Sequence, residues 1–178
     1  MERYTAVRDL AAEIIATASG GKISVVKELL GKDTGYATPK IDVRGVVFQD
    51  NKILLVKERS DGRWTLPGGW ADVNESPSES VVRETCEESG YRTRCVRLLA
   101  VLDRDKHPHE PAFLFHIYKL FIRCEIVGGA ATPSSETVEV AFFGETELPD
   151  LSITRVTPWQ IHRMFEHLKN PDLPTDFD

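Results

Sequence analysis

The stretch GGWADVNESPSESVVRETCEESGY, residues 68–91, constrains this chain more than any other. Ser76 stands where a helix N-cap would, Pro77 takes the first helical position, and Glu79 falls three residues after the cap. A cap oxygen, a proline with no amide to leave unpaired and a reciprocal carboxylate together specify a helix start. Gly90 supplies the stop, because glycine enters the left-handed conformation that closes a helix without a steric penalty. The helix is thus predicted from about Pro77 to Ser89. Inside it Glu84, Glu87 and Glu88 stand at i, i+3 and i+4, so all three project from one face. A solvated face usually intersperses lysines among such residues, and here only Arg83 is nearby. Three crowded carboxylates repel one another, and a divalent cation is their natural partner.

Gly68 and Gly69, before the helix, let the backbone turn tightly and bring a carbonyl oxygen toward the same cation. Hard oxygen ligands suit Mg²⁺ or Mn²⁺, which keep waters and grip substrate phosphates. The parts point to phosphate chemistry with a metal-activated water.

The spacing carries a resemblance. From Gly69, five residues lead to Glu75, seven more lead to Arg83, and Glu84, Glu87, Glu88 and Gly90 follow in register. This resembles the Nudix box, with Thr85 and Tyr91 as mild departures at two apolar slots. The resemblance implies an α/β (α+β) fold: a mixed sheet sandwiched between helices, with the box as loop, helix and loop. It also implies a hydrolase that cleaves a nucleoside diphosphate linked to another group, using Mg²⁺ or Mn²⁺. Carried over, Glu84, Glu87, Glu88 and the Gly68 carbonyl would ligate the metal. Arg83 would pair with Glu75 and orient the acidic helix. A further glutamate from a later loop would act as base or ligand, with Glu136 and Glu139 as candidates. The helical segment leading into TPKIDVRGVVF is similar to a Nudix subgroup that includes ADP-ribose and CDP-choline pyrophosphatases, which makes ADP-ribose the first substrate expected and CDP-choline the second.

The rest of the chain agrees with a layered domain. Apolar residues at helical spacing predict helices over 2–18 and from Ile23 to Leu30, with a linker over 32–39. Residues 1–35 are therefore read as a helical segment and 40–178 as the main domain. Val7, Leu10, Ile14, Val26 and Leu29 give that segment more apolar surface than two helices can bury, which predicts a homodimer. Strands are predicted over 41–48 and 53–56, joined at Asp50-Asn51, and over 94–102, 113–127 and 139–143. A last helix runs from Pro158 to Lys169, with Thr157 as cap and Gln160 completing a capping box.

Charge and composition exclude several classes. With 22 Lys+Arg against 28 Asp+Glu the net charge is −6, a poor match for bulk nucleic acid. No apolar stretch approaches the roughly 20 residues of a membrane span. Three cysteines at no metal-ligand spacing indicate free thiols and a cytoplasmic setting.

Outside the box, Trp70 is a candidate for stacking on a base, and Asp103 and His107 for contacts at the rim of the site. His107 and His109 are expected at the surface, and His116 inside a strand as a core residue. Two function classes follow: a metal-dependent pyrophosphohydrolase acting on a small nucleotide-sugar or nucleotide-alcohol, and a Nudix-like module that senses a nucleotide without turnover. Three clustered metal ligands favour the enzyme.

Overall fold

The computed structural model describes residues 2–32 and 38–178, with side chains described over 5–31 and 38–178. Residues 33–37, within the expected linker, lie outside the described residues. The chain divides into two compact units, Met1–Thr38 and Pro39–Asp178.

The first unit is a helical pair, α1 (Glu2–Ser19) and α2 (Ile23–Lys32). Small side chains make their contact: Ala12, Ala16 and Val26 are buried, with Leu30 against them. The expected outward face is corrected at one position, since Val26 faces the partner helix. Val7, Leu10, Ile14 and Leu29 stay exposed. Helix α2 also continues through Gly31 to Lys32 rather than ending there.

In the second unit β1 (Lys40–Gln49) and β2 (Lys52–Glu58) form the expected hairpin. Asp50 and Asn51 both take positive φ, 50° and 57°, the geometry of a tight hairpin turn that these two residue types tolerate. The remaining elements are β3 (Trp64–Thr65), α3 (Pro77–Ser89), β4 (Tyr91–Asp103), β5 (Ile117–Gly129), β6 (Thr137–Phe143), α4 (Pro158–Lys169) and β7 (Asp176–Phe177). The described strands form one mixed sheet in the order β3-β2-β1-β5-β4-β7, with β6 pairing β2. β1 runs parallel to β5 at its centre, and β4 runs antiparallel to β5.

Alternation along the central strands sends side chains to two separate cores. Val46, Leu55 and Phe121 pack with Ile161, Met164 and Phe165 of α4. Val43, Val47, Leu54 and Ile122 pack with Val81 of α3. The sheet is thus sandwiched between helices, as expected. Both helix starts carry the expected capping boxes, at Ser76–Glu79 and Thr157–Gln160, and Gly90 closes α3 at φ 77°.

Three readings are corrected. The strand expected from Phe113 begins at Ile117, because the rings of Phe113 and Phe115 turn outward and cluster with each other. His116 consequently lies outside the strand, half-exposed, its Nε2 3.1 Å from Asp103. His109 is buried rather than superficial. Its Nδ1 is 3.0 Å from the Ile153 carbonyl and its Nε2 3.1 Å from the Gln160 amide.

Burial, with Lys119 adding to it, pushes the His109 imidazole down to about 4. The unfolded chain takes up a proton near pH 6.5 that the folded one refuses until about pH 4. This contribution to stability is full above pH 6.5 and is lost as pH falls through that window. Urea unfolding of the wild type and His109→Asn should therefore converge, by about 2 kcal/mol, between pH 7 and pH 4.5. A stability difference independent of pH would show that His109 does not titrate as its burial requires.

Candidate active site

Two close approaches of backbone position the acidic helix. An added Cβ at Gly45 would stand 2.4 Å from the Thr85 hydroxyl, so α3 packs on β1 only because residue 45 has no side chain. Gly68 takes φ 138°, and a Cβ there would lie 2.0 Å from the Val43 carbonyl. The segment beyond it runs along β1: Gly45 N–H donates to Pro67 at 2.8 Å, Val43 N–H to Gly69 at 2.8 Å, and Ala71 N–H to Ile41 at 3.0 Å. The Gly68 N–H is left pointing at α3, where it donates to Glu88 Oε2 at 2.8 Å.

The two departures from the box are explained by packing. Thr85 is fully buried at the Gly45 crossing, and Tyr91 meets Phe142 edge to face at 5.8 Å. Each behaves as the apolar residue it replaces.

Arg83 organises the carboxylates. It donates to both oxygens of Glu75, at 2.9 and 3.0 Å, to Glu84 at 2.8 Å and to Glu87 at 3.1 Å. The hydrogen bonds from Arg83 and from the Ser80 hydroxyl hold the Glu75 carboxyl below its ordinary range. Glu88 is different. Burial pushes its carboxyl up to about 8, against the pull of Arg44 and the Gly68 amide. Burial also raises Glu84, with Arg83 opposing.

Glu84, Glu87 and Glu88 share a depression of about 420 Å³ with Glu136. Glu84, Glu88 and Glu136 also line a larger adjoining cavity of about 540 Å³. Glu136 is held in place by its neighbours. Its carbonyl accepts from the Arg59 N–H at 2.8 Å, the Arg59 guanidinium donates to Ser135 at 2.9 Å, and the Thr137 hydroxyl donates to the Glu88 carbonyl at 2.7 Å. Glu139 lies elsewhere, paired with Lys57 at 2.6 Å across β6 and β2.

Among the rim candidates, Trp70 lines the large cavity. Asp103 and His107 do not. Asp103 holds His116 and caps the turn at Asp105. His107 stacks on Trp159 at 4.9 Å and meets Asp178 at 3.3 Å, in a separate depression.

Several cavity residues escaped the sequence reading. Asp42, Arg44 and Lys119 form a buried charged triad at the cavity wall: Arg44 Nε donates to Asp42 at 2.9 Å, and Lys119 Nζ donates to the other Asp42 oxygen. Burial would raise the Asp42 carboxyl, but Arg44 and Lys119 more than offset it and hold it low. Charged residues interrupting the apolar strands DVRGVVF and IYKLFI are the signal that could have found them. Glu58, paired with Arg155 at 3.2 Å, lines the same cavity.

The donor set suits a hard divalent cation: carboxylates alone, one of them buried with its charge disfavoured. Among the described residues no group of three or more His, Cys, Asp or Glu side chains is already converged to hold a metal ion. Arg83 meets the charge of Glu84 and Glu87 here.

A mixed sheet between two helices, with a loop-helix-loop that turns clustered carboxylates toward one cavity, defines a class of hydrolase-like α/β domains. Within that class the chain belongs to the Nudix hydrolase family: the NUDIX domain model matches residues 38–165. It is 48% identical over 177 residues to the Bacillus subtilis (strain 168) protein YjhB, whose own assignment as an ADP-ribose pyrophosphatase is provisional. That match covers 99% of this chain and 85% of YjhB. The crystal structure of an ADP-ribose pyrophosphatase from Streptococcus suis 89-1591 superposes with a TM-score of 0.72 at 41% identity, covering 79% of this chain and all of that one. A UDP-X diphosphatase structure gives 0.78 at 32% identity, covering 99% and 85%.

Glu84→Gln, Glu87→Gln and Glu88→Gln should each lower turnover by at least about 10²-fold, the lower range for losing a reacting acid–base group. Glu79→Gln keeps an acceptor for the Ser76 cap and should cost far less. Steady-state assays of the four variants check this, and equal losses would mean that the acidic face is misassigned.

Proposed function

We propose that this chain is a divalent-cation-dependent pyrophosphohydrolase acting on a nucleoside diphosphate joined to a second small group. ADP-ribose is the first substrate proposed and CDP-choline the second. One observation carries the reading: the box glutamates Glu84 and Glu88 and the later Glu136 line a single cavity, about 540 Å³, roomy enough for a nucleotide conjugate. The names of the relatives support it, two of them referring to ADP-ribose and a third to a UDP conjugate.

Glu84, Glu87, Glu88 and the Gly68 carbonyl would hold Mg²⁺ or Mn²⁺. When bound, such a cation neutralises the charge of the bridging phosphates and makes water more acidic. The chain's own residues do the rest. Arg83 keeps Glu75, Glu84 and Glu87 from repelling one another. Glu136, on a backbone held by Arg59, takes the proton of the attacking water on its carboxylate. Arg44, Lys119 and Arg155 line the cavity and supply positive potential to the leaving phosphate. Glu139, spent on Lys57, is the weaker candidate for base, and Glu136→Gln should lower kcat more than Glu139→Gln.

Incubation with ADP-ribose and Mg²⁺ in ¹⁸O-labelled water should give AMP and ribose 5-phosphate, with label in one of the two phosphates. Exhaustive chelation should abolish the reaction, and Mg²⁺ or Mn²⁺ should restore it. Activity that survives chelation, or no turnover of any nucleoside diphosphate conjugate, would move the weight to a nucleotide sensor.

The helical pair is proposed to join two copies through Val7, Leu10, Ile14 and Leu29, each more than half exposed at 58–68%. Light scattering should give the mass of a dimer, and Leu10→Glu with Leu29→Glu should give a monomer. A wild type that is monomeric at micromolar concentration would remove the idea.

A further inference from the structure

We infer that Trp70 and Phe113 form the subsite for the nucleobase, and that it selects base-bearing compounds without reading which base they carry. The inference rests on the hydrolase reading for what occupies the rest of the cavity.

Both rings line the cavity that holds Glu84, Glu88 and Glu136. They come from separate loops, yet they lie nearly parallel, 29° apart with centroids at 6.4 Å. Each leaves close to half its surface in solvent, 45% and 46%. Large rings exposed at a cavity mouth mark a place where something else binds.

These rings are fixed in advance. Trp70 sits between the two backbone hydrogen bonds that tie Gly69 and Ala71 to β1. The loop bearing Phe113 is pinned at both ends. The buried Arg104 donates to the Pro111 carbonyl at 2.9 Å, and the Lys40 N–H donates to His116 at 2.9 Å. The Arg104 guanidinium also stands 5.5 Å from the Phe113 centroid. A wall ordered before the ligand arrives costs little further entropy on binding.

The occupant follows from position. A Cβ on Gly69, the neighbour of Trp70, would lie 3.1 Å from the Glu84 carboxylate. A molecule lying on Trp70 therefore has the phosphate-handling carboxylates beside it. A flat aromatic base carried one sugar away from a diphosphate has that shape. Pro111 and Ile117 offer no polar side-chain group to a base edge, and the polar side chains nearby are already engaged: Arg104 with the Pro111 carbonyl, Asp72 with Arg83, Thr154 with Ser152 and Lys119 with Asp42. Stacking, which every base offers, is left as the discriminating contact.

The test uses the full chain with Mg²⁺ and three compounds that have no diphosphate to cleave: AMP, UMP and ribose 5-phosphate. Calorimetry should give AMP and UMP affinities within about tenfold of each other, because stacking is tolerant of base identity. Trp70→Ala and Phe113→Ala should each weaken both by about tenfold or more and leave ribose 5-phosphate unchanged. Trp70→Phe should retain most of the affinity, which separates lost stacking from lost folding. Leu114→Ala and Val73→Ala, exposed neighbours of the two rings, should change nothing. Unaltered AMP binding in both ring variants overturns the subsite. AMP bound about 100-fold tighter than UMP overturns its indifference to the base. Loss of AMP binding as expected, in a protein that hydrolyses no conjugate, would sink the hydrolase reading and leave the subsite standing.

Discussion

The hydrogen bond from the Gly68 amide to the Glu88 carboxylate is the point at which sheet, loop and helix are locked together. Its geometry depends on two missing side chains. Without a Cβ at 45, α3 approaches β1 closely enough to bury Thr85. Without one at 68, the loop folds back over Val43 and turns its amide toward the helix. A side chain at either place would push the acidic face away from the cavity. The same bond holds a carboxylate in a place where burial opposes its charge. The fold thereby keeps a carboxyl whose charged form only a nearby cation would fully satisfy.

The opposite requirement governs the Asp42, Arg44 and Lys119 triad. Three charges this deep are costly, and removing Asp42, the one anion, leaves two uncompensated cations, typically a loss of about 3–5 kcal/mol. A well-packed apolar triplet would hold the sheet as well. The triad stands at the wall of a cavity where phosphates are proposed to bind, and there an excess of one positive charge over the single aspartate is useful. Asp42 fixes where both cations point, so the positive potential does not depend on flexible side chains.

How much of this was legible beforehand follows from which interactions are local. The α3 boundaries were readable because cap, proline, reciprocal glutamate and terminal glycine all act within a few residues. The hairpin at Asp50-Asn51 and the α4 start were readable for the same reason. The short strands β3 and β7 were not, since each is two residues long, too short to show an alternation, and β7 forms only by pairing with β4 far back along the chain. His116 and His109 depart from expectation in opposite directions. The apolar neighbours of His116 suggested a core strand, but they form an outward cluster. The polar neighbours of His109 suggested a surface loop, but Ile153 and Gln160, contributed from far along the chain, cover it.

The site divides along the same line. Its acidic half is written in one helix and could be read from spacing alone. The choice between Glu136 and Glu139 could not, because one stands just before β6 and the other within it, and only the pairing of β6 with β2 decides which one Lys57 takes. The subsite proposed for the base is assembled from Trp70 on one loop and Phe113 on another, brought together across β1 and β5. A local pattern can specify the chemistry that every member of such a family must perform. Contacts outside it, such as that between Trp70 and Phe113, are long-range, and loops can change them without disturbing the lock at Gly68. That separation lets the reaction stay fixed while the molecules it acts upon vary.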